Sequence, residues 1–99
     1  MNNKIRYEFL SKMWKHNSTG AWYFVSLPKN LSNEIRKNLK WQEEGWGRMK
    51  VTSQLNELSW ETAIWFDSKT DTYLLPIKAE IRKKGNLTIN THLKINIWL

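Results

Sequence analysis

Arg48-Met49-Lys50-Val51-Thr52-Ser53-Gln54-Leu55, followed closely by Ser59-Trp60-Glu61-Thr62-Ala63-Ile64-Trp65-Phe66, is the stretch whose reading decides the fold. In its first half Met49, Val51, Ser53 and Leu55 alternate with Arg48, Lys50, Thr52 and Gln54. In its second half Trp60, Thr62, Ile64 and Phe66 share one face. Successive side chains of an extended chain point to opposite sides, so a period of two marks a strand with one buried and one wet face.

The same period extends in both directions. In His92–Leu99, Leu93, Ile95, Ile97 and Leu99 point in, and His92, Lys94, Asn96 and Trp98 point out. Ile5–Phe9 alternates apolar and charged residues, and then Leu10 and Trp14 fall out of phase, which predicts a bulge or bend near Leu10–Lys12. Asn17-Ser18-Thr19-Gly20 has turn chemistry, and Ala21–Leu27 follows as an aromatic-rich partner strand that Pro28 stops. Tyr73–Ile81 reads as a fifth strand, with Tyr73, Leu75, Ile77, Ala79 and Ile81 on one side. Leu74, Lys78, Glu80 and Arg82 lie opposite, and Pro76 argues for an edge or a bulge. Lys83–Thr91 is a connection with room for a helical turn.

One segment has the other period. Leu31, Ile35 and Leu39 recur at i, i+4 and i+8, a helical stripe within Lys29–Lys40. Asn30 is placed to cap it, and Arg36, Lys37 and Lys40 crowd the end where the helix dipole favours cations. Trp41–Gly47 reads as a loop. The expectation is a mostly β protein: a small six-stranded antiparallel barrel with one α-helix at about residues 29–40, residues 1–99 forming one domain.

Composition narrows the function classes. With no cysteine, the chain forms no disulfide, thiolate zinc site or Cys nucleophile. No apolar stretch reaches signal-peptide or membrane-span length, so a cytoplasmic location and no membrane partner are expected. Sixteen Lys and Arg against nine Asp and Glu give a formal charge of +7, which suits a polyanionic partner as well as plain solubility. Seven tryptophans in 99 residues is the unusual number: some must fill the core, and whether all do decides which binding readings stand.

A set of motifs in order resembles a known pattern: Trp22-Tyr23-Phe24-Val25-Ser26-Leu27-Pro28, Ile35-Arg36, Gly47 to Val51, Trp60-Glu61-Thr62, Tyr73-Leu74-Leu75-Pro76-Ile77-Lys78 and Ile81-Arg82-Lys83. Across about Ile5 to Ile97 the chain resembles the bacterial domain-of-unknown-function family 1905. The resemblance implies a double-split β-barrel, the fold class that also houses AbrB-like and MazE-like regulators. It brings no established activity or site. Members tend to carry Gly-Asp before the last strand, where this chain has Asn90-Thr91. Many also continue into a helical segment associated with bacteriocin protection, and this chain stops at Leu99.

Catalysis finds little support. There is no nucleophile elbow, phosphate loop, dinucleotide fingerprint or metal-spaced cluster, and Glu43-Glu44 are sequence neighbours whose side chains diverge. No catalytic residue, metal or cofactor is therefore assigned. His16 and His92 share the outward phase of the first and sixth strands, where pairing of those strands would bring their imidazoles closer; two solvated histidines is the simpler reading. Three binding readings remain. A nucleic-acid or partner face takes Lys12, Trp14, Arg48, Lys50, Lys94 and Trp98, because basic side chains interleaved with outward rings suit phosphates and bases. The same rings would equally serve protein contact, including a homodimer. A ligand pocket takes Trp22, Trp46, Trp60 and Tyr73, with Phe24 beside them, on inward phases or over a barrel mouth, and Lys78 and Arg82 at its rim. The reading is a non-catalytic binding or interaction module, with nucleic-acid binding and a small-ligand protein or enzyme as alternatives.

Overall fold

The alternation at residues 48–66 becomes a β-hairpin in the computed structural model, which describes residues 4–17 and 22–99 apart from the side chain of Trp46. Its strands are β3 (Arg48–Leu55) and β4 (Leu58–Asp67), paired from Arg48↔Trp65 to Leu55↔Leu58. Asn56 makes the tight turn with φ +54°, a left-handed conformation that Asn tolerates better than most residues. The other strands are β1 (Arg6–His16), β2 (Trp22–Ser26), β5 (Thr72–Pro76) and β6 (His92–Trp98). They close into an antiparallel barrel in the order β1-β2-β5-β4-β3-β6, the architecture the alternation predicts.

β1 serves two neighbours in turn. Arg6–Lys12 pair with β6, and Met13–His16 pair with β2. Both registers run without a skipped residue, so the predicted bulge at Leu10–Lys12 is absent. The phase never changes: Tyr7, Phe9 and Met13 are buried, Leu10 is exposed, and inward Ser11 donates its hydroxyl to the Ser26 carbonyl at 2.7 Å. A satisfied serine occupies a position where the sequence reading looks for an apolar residue.

Inside, Val25, Met49, Ile64, Leu75, Ile95 and Ile97 are fully buried. Helix α1 (Lys29–Leu39) adds Ser32, Ile35 and Leu39 where β5 begins. The Tyr73 amide donates to Ser32 Oγ at 3.0 Å, and that hydroxyl donates to the Leu27 carbonyl at 3.4 Å. Pro28, not Asn30, precedes the first helical residue, and no side chain caps the helix. Two short 3-10 turns, Lys40–Gln42 and Gly45–Gly47, carry the chain into β3.

The fifth strand is shorter than its alternation suggests. It ends at Pro76, and Ala79–Lys84 form a second helix, α2, whose Ile81 joins the core from the far end of β5. Ile77 and Ile81 are four residues apart, a spacing that fits a strand and a helix equally well. Pro76 ends the ladder, and Asn86 at φ +52° ends the helix. The Leu87 amide bonds the Arg82 carbonyl at 2.9 Å and the Asn86 amide bonds that of Lys83 at 3.2 Å, the Schellman pattern of a helix C-terminus. Asn90 is also left-handed, at φ +69°.

Candidate functional site

β4 and β5 are joined only through Trp65↔Leu74, Phe66↔Tyr73 and Asp67↔Thr72. Beyond that, β5 stops at Pro76 and the chain turns into α2, while β4 runs on beside β3. The divergence leaves a groove of about 420 Å³ on the outside of the barrel. Its lining includes Ala63, Pro76 and Ile77, the Trp22 and Trp65 rings, and three cations: Arg48, Lys78 and Arg82. Among the described residues no acidic side chain lines it, and none of the three cations makes a salt bridge.

The cations are positioned in different ways. Arg82 donates Nε–H to the Ile77 carbonyl at 3.2 Å and lays its guanidinium 3.8 Å from the centre of the Tyr23 ring. Those two contacts orient the guanidinium and leave its terminal N–H groups without a partner among the described residues. Arg48 lies opposite Trp65 across the β3–β4 ladder. Lys78 stands just before α2, with its side chain exposed.

The two tryptophans belong to an aromatic cluster on the barrel's outer surface. Phe24 is its base: it faces outward from β2 yet is only 5% exposed. Trp14 lies 5.3 Å from it, Trp65 6.2 Å, and Trp22 stacks nearly parallel at 6.0 Å, with His16 edge-on at 6.4 Å. Trp22 and Trp65 are 6.0 Å apart and remain 48% and 37% exposed. Both rings pack against Phe24 and keep part of their surface open to solvent.

A second hollow of about 480 Å³ adjoins the first and shares Arg48 and Thr62 with it. Lys4, Lys50, Glu61 and Trp98 also line it.

The residues singled out from sequence are redistributed by this geometry. Of the expected pocket, Trp22, Lys78 and Arg82 meet in the groove, whereas Trp60 and Tyr73 are buried in the barrel interior and the Trp46 side chain lies outside the described residues. Trp22 and Phe24 point outward, not inward as expected. In a strand as uniformly apolar as Trp22–Val25 the composition carries no phase, and pairing with β1 and β5 sets it. Of the expected basic face, Arg48, Lys50 and Trp98 border the second hollow. Trp14 covers Phe24 and donates its indole N–H to Ser26 Oγ at 2.9 Å. Lys12 and Lys94 lie on the β1–β6 side, where Glu8 pairs with Arg6 at 3.2 Å and Lys94 at 3.7 Å and offsets that charge. His92 faces Lys12 and His16 faces Trp22, so the two imidazoles are four residues apart along β1. Among the described residues no group of three His, Asp or Glu is arranged to hold a metal, and no helix is long and apolar enough to cross a membrane.

Trp65 is the contributor to the groove that the sequence reading missed. The signal was present in Ile64-Trp65-Phe66, where a tryptophan falls on the outward phase of an otherwise well-patterned strand.

Fold and groove together define a small closed antiparallel barrel with a cationic, tryptophan-walled opening where two strands part. The chain belongs to the family described as domain of unknown function (DUF1905), which matches residues 9–97, nearly its whole length. Among curated proteins no match is found.

Proposed function

We propose that the protein is a binding module whose groove holds an anionic ligand carrying a flat ring, of the kind a nucleotide unit provides. One observation carries this reading: two supported, half-open tryptophan faces share a groove with three cations and no carboxylate. Rings stack on indole, and phosphate oxygens accept from guanidinium and ammonium groups. A self-complementary dimer over the same groove is disfavoured, because an isologous contact would set Arg48, Lys78 and Arg82 against their own copies.

The test is calorimetric titration with a thymidine dinucleotide bearing a 5′ phosphate, at two salt concentrations. Trp22→Ala should weaken binding about tenfold, within the range for loss of one stacking face. Arg48→Gln and Lys78→Gln should weaken it and flatten its salt dependence. Lys12→Gln, on β1 and outside the groove's lining, should leave it unchanged. Absence of binding at millimolar ligand, or binding equally weakened by Lys12→Gln, would overturn the reading.

A further inference from the structure

We infer that the groove's ligand is a single-stranded nucleic acid that continues out of the groove across β4 and β3 onto Trp98; this rests on the groove reading above. The two hollows are one surface, since Arg48 and Thr62 line both. The ladder registers give the distances. Trp98 on β6 lies opposite Thr52 on β3, which lies opposite Glu61 on β4, and Trp65 is four residues further along β4, opposite Arg48. Two strand spacings across and four residues along separate Trp98 from Trp65 by roughly 16 Å.

That separation excludes a mononucleotide as the bridging ligand, since one base cannot stack on both rings. It suits a short strand of about four nucleotides, at the low end of what small β-barrels cover. Between the rings lie the cations Arg48 and Lys50, outward-facing and two residues apart on β3. A duplex fits poorly: its base faces are already stacked on each other, and only a single strand offers them to indole. Lys50 is also 3.8 Å from Glu44, but both side chains are solvent-exposed, so that pair yields readily to a phosphate. Glu61 is the one acidic side chain lining either hollow. It lies on the Trp98 side, where it repels phosphate and leaves the backbone's path to Lys50 and Arg48.

The experiment is a length series of deoxyuridine and uridine oligomers of one, two, four and eight nucleotides, titrated calorimetrically into the full chain; the tighter series gives the sugar. Affinity should rise at least tenfold between two and four nucleotides and little from four to eight. Lys50→Gln should remove most of that gain while leaving dinucleotide affinity unchanged. Because the Lys50 side chain is 79% exposed, this variant keeps the fold. Trp98→Ala should act in the same way, and a duplex of eight base pairs should bind more weakly than the single strand. Equal affinity for two and four nucleotides, a gain that survives both substitutions, or tighter duplex binding would overturn the inference and leave the groove reading standing. Failure of the dinucleotide to bind, with no effect of Trp22→Ala on any oligomer, would remove the groove reading itself.

Discussion

Ser32→Ala deletes one hydroxyl from the buried face of α1, and its cost follows from two bonds. Ser32 is fully buried, and its Oγ takes the Tyr73 amide at 3.0 Å while donating to the Leu27 carbonyl at 3.4 Å. Alanine keeps the Cβ, so the packing loss is small. What is lost is chiefly one good hydrogen bond, about 1 kcal/mol net, together with the penalty of a buried, unpartnered Tyr73 amide, about 1–3 kcal/mol. A total near 2–4 kcal/mol is a large share of the 5–15 kcal/mol typical of a domain. At about 4–8 °C per kcal/mol for a chain of this size, melting should fall by roughly 8–30 °C. Urea denaturation followed by tryptophan fluorescence should show a lower midpoint at unchanged slope. A loss below about 0.5 kcal/mol would refute the claim that this hydroxyl fastens α1 to the start of β5.

Burial, then the hydrogen bond at 3.1 Å and the charge of Glu43, hold the Tyr73 phenol above its ordinary value of 10.0, with Arg36 opposing. The folded protein therefore keeps its proton longer than the unfolded chain does. That contribution is complete below about pH 10 and is lost as pH rises through the higher folded value. Stability should fall above pH 10, and Tyr73→Phe should flatten that limb in a pH series of thermal melts. Tyr7, raised by burial and by Glu34, should leave a residual slope. Gly47 sits at φ +68° with a built Cβ 3.1 Å from Phe66 Cβ, whereas a Cβ at Gly45 meets nothing within 4 Å. Gly47→Ala should cost about 1–2 kcal/mol and Gly45→Ala almost none, as read from paired urea curves. Among the described residues Ser53 Oγ is buried without a protein partner, so Ser53→Ala should stabilise the fold by about 1 kcal/mol, read as a higher melting temperature.

Where one face was apolar and the other polar, strand and phase were both legible, as in Arg48–Leu55 and His92–Trp98. The helical stripe of Leu31, Ile35 and Leu39 gave α1 nearly to the residue. Legibility failed where the pattern was degenerate. Ile77 and Ile81 satisfy both periods, and the signal that separates them was Gly85-Asn86, a helix-ending pair, together with Pro76. Trp22–Val25 is apolar throughout, so its phase waited on the register with β1. The groove was only half legible for a related reason. Trp22, Lys78 and Arg82 could be named as candidates, but their meeting with Trp65 and Arg48 depends on where β5 stops and α2 begins. No local pattern reports that non-local fact. Trp14 shows the converse: out of phase in the sequence, it covers Phe24 and bonds Ser26.

The most direct measurement is an amide-nitrogen NMR titration that follows the tryptophan indole N–H signals as a thymidine tetranucleotide is added, with each signal assigned by single Trp→Phe variants. The account predicts that the Trp22, Trp65 and Trp98 signals shift together along one binding curve, while that of buried Trp60 stays in place. Saturable binding that leaves Trp22 and Trp65 unmoved, or no binding at millimolar oligonucleotide, would contradict it.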